Sequence, residues 1–237
     1  MNAWLNLRHS VPERQAAFRK GLERLGFTVR EGVTTRPGGR DILVTWNRIR
    51  EGGTAATAFE SRGRPVLVTE NASWGNDFAG DRWYTLARQA HNTSGRFPVG
   101  SPGRWDSLRV ELAPWRAGGE TVLLQQRGIG QVGQMPHDWP ARAQKRYGGR
   151  MRPHPGTNKC APLEQDLCNA GRVVTWGSGA AIKALLWGIP VVSEKPEWIG
   201  EQDNTDEGRL DMFRRLAWAQ WRLREIESGA PFDRLLR

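Results

Sequence analysis

Short hydrophobic runs alternate with helical stretches through much of the chain, an order that predicts parallel strands linked by covering helices. Ala3 to Leu7 reads as a first strand. Pro12 opens a helix with apolar Phe18, Leu22 and Leu25 on one face, and Gly26 closes it ahead of a strand at Phe27-Thr28-Val29. Asp41 to Thr45 and Pro65 to Thr69 continue as strands, with a short helix at Thr54 to Phe59 between them. The later of these strands runs out at Glu70 and Asn71, where reactive side chains gather in open α/β sheets.

Periodicity fades from Ala72 to Arg116, where Gly, Pro, Trp, Asn and Asp predominate. Irregular segments of this length usually serve function. Leu112 to Gly119 reads as a linker between domains. Alternation resumes with a strand at Thr121 to Leu124, a glycine-spaced loop at Gln126 to Gly133 and a helix at Trp139 to Arg146. A short strand from Arg150 then enters a rigid turn ending at Gly156, followed by a helix at Leu163 to Ala170. Arg209 to Leu236 patterns as amphipathic helix over most of its length, with Leu210, Phe213, Leu216 and Trp221 on the apolar side. The expected architecture is α/β, with two Rossmann-like parallel-sheet domains facing a cleft: residues 1–116, residues 117–205, and a C-terminal helix, 206–237, returning toward the first.

The run from Arg172 to Val192 carries the strongest chemical signal. Val173, Val174 and Thr175 suit a buried strand, Gly177 and Gly179 free a turn, and Ala180 to Trp187 form a helix ended by Gly188. Backbone N–H groups and the helix dipole are expected to converge at Ser178 to Ala181, an anion site sized for a diphosphate. The spacing is neither that of a P-loop nor the three-glycine dinucleotide fingerprint. With Gln126 to Gly133 and Arg152 to Gly156, this turn is expected to line the carboxyl edge of one sheet. Arg127, Gly128, Gly130, Arg152, His154, Gly156, Trp176, Gly177, Ser178, Gly179 and Ala180 are the predicted phosphate-binding set, with Lys159 and Lys183 as alternates. The competing reading of these turns is structural, because any parallel sheet needs them.

Charge adds a second clue. The net charge is +10 in 237 residues, and 30 of the 35 basic residues are arginines, which favours polyanionic partners and planar pairing with phosphate. High genomic GC content enriches arginine equally well. Cys160 and Cys168 lack the spacing of a zinc site or a disulfide framework, so no bound metal is expected. No run approaches a membrane span and the N-terminus lacks a signal-peptide core, which points to a cytoplasmic protein, expected to be monomeric.

Arg152-Pro153-His154-Pro155-Gly156, a short acidic helix, and the run Val173 to Val192 with its Gly188-Ile189-Pro190 resemble the donor-binding half of GT-B-type glycosyltransferases. The resemblance covers about Val122 to Val192. It implies that His154, Ser178 and Gly179 contact the phosphates of a nucleotide sugar, UDP-linked glucose or similar, with Arg127 and Gly130 on the first glycine loop, and it implies no metal requirement. The paired glutamates of many such families are not evident; Glu194, Glu197 and Glu201 are candidates for the donor ribose.

An inverting transfer needs a base in the N-terminal half. Asp77 is the first choice and Glu70 and His91 the competitors, whereas a retaining transfer needs none. The short form of the chain also resembles phage-type enzymes, among them DNA glucosyltransferases acting on hydroxymethylpyrimidines. With the basic charge, this makes DNA the expected acceptor, with Trp74, Trp83, Trp105 or Trp115 as candidates to stack on a flipped base or fill the gap it leaves, while most of the twelve tryptophans are expected in core or cleft packing. A surface glycan or lipid acceptor, a nucleotide-sugar epimerase and a non-catalytic nucleic-acid-binding module are the alternatives.

Overall fold

A computed structural model describes residues 1–7, 11–90, 94–126, 134–156 and 159–237. In chain order the first half comprises β1 (Asn2–Asn6), α1 (Pro12–Arg24), β2 (Thr28–Glu31), β3 (Ile42–Trp46), α2 (Arg50–Glu60), β4 (Val66–Asn71), β5 (Trp83–Arg88) and α3 (Gly103–Asp106). The second half continues with β6 (Glu120–Leu124), α4 (Trp139–Tyr147), β7 (Arg150–Arg152), α5 (Leu163–Asp166), β8 (Ala170–Thr175), α6 (Ala180–Leu186) and β9 (Val191–Ser193). The chain ends in α7 (Asp206–Leu216), β10 (Gln220–Arg222), α8 (Leu223–Ser228) and α9 (Ala230–Leu236).

The first sheet has the order β10-β5-β4-β3-β1-β2 and the second β7-β6-β8-β9. In the second sheet every pairing is parallel, as expected. The first sheet is mixed, because β5 pairs antiparallel with β4 and β10 antiparallel with β5. This corrects the expectation of two parallel sheets. The source of the difference is Trp83 to Ala87, a buried run of β-forming residues inside the zone read as loop.

The C-terminal segment is also not one helix. Gln220, fully buried, accepts from the Ser73 N–H (2.9 Å) and donates to Thr85 Oγ1 (2.8 Å), so residues 220–222 become an edge strand that completes the first sheet. Arg104 fastens this return, pairing with Glu225 at 2.6 Å and lying 4.2 Å from the Trp221 ring. The helix expected at Leu163 to Ala170 stops at Asp166, and β8 begins at Ala170.

Phe18, Leu22 and Leu5 pack with Tyr84, Ile226 and Phe232 on one face of the first sheet. On its other face, Leu43, Val66 and Val68 pack under Ala55, Ala56 and Phe59 of α2. A third cluster runs from Trp74, Trp83 and Trp105 through Phe213 and Met212 to Val122, Val173 and Ile182, so α7 shares its apolar face with residues from both sheets. The linker expected at Leu112 to Gly119 is held there: Ala113 N–H donates to Leu186 O (3.1 Å) and Arg116 N–H to Gly188 O (2.7 Å). Asp41 anchors the start of β1, accepting from Asn2 N, Asn2 Nδ2, Trp4 Nε1 and Gly38 N at 3.0 to 3.2 Å.

Candidate functional site

In the second sheet the chain leaves β6 to one side for β7 and then crosses to the other side for β8, which makes the β6/β8 boundary the topological switch point. Thr175, the last residue of β8, organises that point. Its buried Oγ1 donates to Leu124 O of β6 (3.1 Å) and accepts from Gly177 N (3.2 Å) and Ser178 N (2.9 Å), which uses the full capacity of a hydroxyl. Ser178 Oγ accepts from Ala180 N at 3.2 Å. Two of the amides expected to meet an anion, those of Ser178 and Ala180, are thus bound to side-chain oxygens, as is that of Gly177, and the turn is preformed. Gly177 lies at φ 148°, and a Cβ there would meet Lys195 Cδ at 2.7 Å.

Lys195 was not among the predicted binding residues. Its stem covers Gly177, its ammonium donates to Pro196 O at 3.3 Å, and burial pushes its pKa down despite the nearby Glu197. Lys183, one turn into α6, reaches the 71–77 loop of the other half, where a Cβ on Gly75 would lie 3.4 Å from its Nζ. The ring of Trp176 packs beside Leu123, Met135 and Trp139.

At the end of β7, Arg152 is 6% exposed, ion-paired with Asp166 and donating through Nη2 to Ala161 O (2.9 Å). Its charge is spent inside the fold. His154 Nδ1 accepts from the exposed Gly156 N–H at 2.9 Å, so the neutral ring carries its proton on Nε2. Because β7 and β8 flank β6, their ends lie about two strand spacings, roughly 10 Å, apart. Arg127, Gly128 and Gly130 lie outside the described residues, as does His91.

Glu194 follows β9 and is filled from α4: Trp139 Nε1 (2.9 Å), Tyr147 Oη (2.9 Å) and Arg146 Nη1 (3.1 Å) all donate to its carboxylate. Burial, and then the bond to Glu194, push the Tyr147 phenol up. Glu197 and Glu201 are exposed. Among the described residues no cluster of three or more His, Cys, Asp or Glu is placed to hold a metal ion, and none of their helices is long and apolar enough to cross a membrane. Cys160 Sγ donates to Pro153 O at 3.4 Å, and Cys168 is exposed.

On the first sheet, Asp77 is 81% exposed and pairs with Arg82 at 3.1 Å. Glu70, at the end of β4, is half-buried and accepts from Asn71 N (3.0 Å) and Asn47 Nδ2 (3.3 Å). Asn47, which follows β3, also escaped sequence reasoning; its only signal was its position just past a strand. Trp74, Trp83 and Trp105 are 2 to 3% exposed, with Trp74 edge-on to Trp83 and tilted against Trp105, and Trp105 stacked on Phe213, so they are not free to stack on a base. Trp115 lies under the buried Arg209 guanidinium, 4.0 Å from its ring centre.

The architecture is a pair of open α/β sheets, the second with a preformed turn at its switch point. Two solved chains from Thermosulfurimonas dismutans KpsC share it. The beta Kdo 2,4 transferase matches with a TM-score of 0.55 at 15% identity, over 92% of this chain and 91% of that one. The beta Kdo 2,7 transferase matches at 0.50 and 13%, over 98% and 99%. At these identities the likeness is one of fold, and it extends over both sheets. No protein-family model matches the sequence and no curated protein matches it.

Proposed function

We propose that the protein is a glycosyltransferase that moves a sugar from a nucleotide donor to a hydroxyl of a saccharide acceptor. The observation that carries this reading is a turn fixed by Thr175 at the switch point of a chain whose fold is shared along its length with two Kdo transferases. Residues 117–205 form the donor half. His154 Nε2–H and the Lys195 ammonium face the donor phosphates, with Ser178 and Gly179 shaping the turn around them. Residues 1–116 and 206–237 form the acceptor half.

In this reaction the acceptor oxygen attacks the anomeric carbon, the bond from that carbon to the phosphate oxygen breaks, and the nucleotide leaves with the negative charge. His154 and Lys195 stabilise that charge. The acceptor proton passes to a carboxylate. Glu70 replaces Asp77 in this role, because Asp77 stands in solvent against Arg82 whereas Glu70 is held in place by two donors.

A saccharide acceptor is favoured over DNA because three of the four tryptophans assigned to base stacking are core residues. The UDP-hexose assignment rests on the sequence resemblance. Thermal shift with UDP, CMP and GDP tests the donor site directly: a nucleotide at about 100 times its Kd adds about 2.7 kcal/mol of stability. His154→Ala is expected to weaken that nucleotide at least about tenfold with melting temperature unchanged, the loss of one charge-assisted hydrogen bond. Equal affinity in wild type and variant removes His154 from the site. Transfer to glycan and to hydroxymethylated DNA is then compared across salt, since DNA binding falls steeply with ionic strength.

A further inference from the structure

The face of the first sheet covered by α2 changes character toward its carboxyl rim. Beyond Leu43, Val66 and Val68, which pack under α2, the same face carries Asn6, Thr45, Asn47 and Glu70. Asn6 is registered with Thr45 and Thr45 with Val68, and the Asn47 N–H donates to Thr69 O (3.0 Å), so the polar residues lie on two successive rungs, Asn6–Thr45 and then Asn47–Glu70, in a row running toward the rim. Asn6 Nδ2 donates to Thr45 Oγ1 at 3.4 Å and Asn47 Nδ2 to Glu70 Oε2 at 3.3 Å. The first turn of α2 closes over the row only because residue 52 is glycine: a Cβ there would stand 2.6 Å from Thr45 Oγ1 and 3.1 Å from Asn6 Nδ2.

Asn47 is the anomaly in this row. It is 9% exposed, it holds the left-handed conformation at φ 52°, and its Oδ1 accepts no hydrogen bond. A buried acceptor without a donor and a strained non-glycine residue are both costs, and at one strand end they mark a functional position. An unfilled acceptor beside a carboxylate calls for a hydroxyl proton. A phosphate diester offers no such donor and is repelled by Glu70, whereas adjacent hydroxyls of a sugar ring supply one donor to each group.

We infer that the Asn47–Glu70 end of this row is the acceptor subsite for a saccharide: Asn47 Oδ1 receives one ring hydroxyl and orients the neighbouring, reacting hydroxyl onto Glu70. The inference rests on the glycosyltransferase reading, and its test separates the two. Asn47→Gly suits the backbone at φ 52° and removes the amide, so it is expected to fold with an unchanged or higher melting temperature.

Wild type and variant are compared by saturation-transfer NMR with methyl glycosides of common hexoses and pentoses, alongside nucleotide-induced thermal shift. The expected result is saccharide binding by wild type, weakened about tenfold or more in Asn47→Gly, with the nucleotide shift retained. Equal saccharide affinity in the two proteins overturns the subsite. So does a wild type that shows a nucleotide shift and binds no glycoside, or one that prefers duplex DNA. Absence of any nucleotide shift in wild type overturns the transferase reading instead, and Asn47-dependent saccharide binding in that protein still supports the subsite.

Discussion

Replacing Thr175 with valine keeps the shape of the side chain and deletes the hydroxyl that closes the β6/β8 switch point. Three hydrogen bonds go with it: the donation to Leu124 O and the acceptances from Gly177 N and Ser178 N. Thr175 and Gly177 are buried, so the abandoned groups there gain little from water, while Ser178 N can be partly rehydrated. At about 1 kcal/mol for each net hydrogen bond and more for a buried orphan, the expected loss is about 3 kcal/mol. In a chain of this length that lowers the melting temperature by about 6–12 °C. Thr175→Ser retains the hydroxyl and loses one methyl, which costs about 1 kcal/mol. Urea unfolding of the three proteins at pH 7 measures both differences. A valine variant no less stable than the serine variant refutes the assignment of Thr175 as the organiser of this turn. The valine variant is also expected to lose nucleotide binding, because Gly177 and Ser178 are no longer held in position.

Two further expectations concern stability. Burial raises the Asp41 carboxyl, but its hydrogen bonds from Asn2, Gly38 and Trp4 outweigh that and hold its pKa below the usual range. A depressed carboxyl stabilises the fold above its unfolded pKa, near 4, and that contribution fades as pH falls through it. Wild type should therefore exceed Asp41→Asn in stability at neutral pH, with the gap closing below about pH 4; a gap independent of pH contradicts the assignment. Arg152→Met should cost about 2 kcal/mol, less than the 3–5 kcal/mol typical of a broken buried pair, because Asp166 keeps Arg150 at 2.7 Å. If instead it leaves stability unchanged and abolishes nucleotide binding, Arg152 is a ligand contact and not part of the scaffold.

The sequence by itself determined the parallel β-α-β order of both halves, the positions of β1, β3, β4 and β6, and the turn between β8 and α6. In each case the information is local, because strand and helix periodicities and glycine punctuation act within a few residues. Tertiary structure alone decided which donors were already spoken for. Arg152 is a cation in the sequence and a buried partner of Asp166 in the fold, while the amides of Gly177 and Ser178 are satisfied by a threonine that strand register brings to them. Likewise β10 joins the first sheet where Gln220 bonds to Thr85 and Ser73, more than 130 residues away along the chain, and β5 joins it by antiparallel pairing with β4. The Asn6–Thr45–Asn47–Glu70 row arises only when three strands align side by side. Partners so distant along the chain leave no periodic trace, since pairing between strands is set by packing of whole elements and not by the spacing of neighbours.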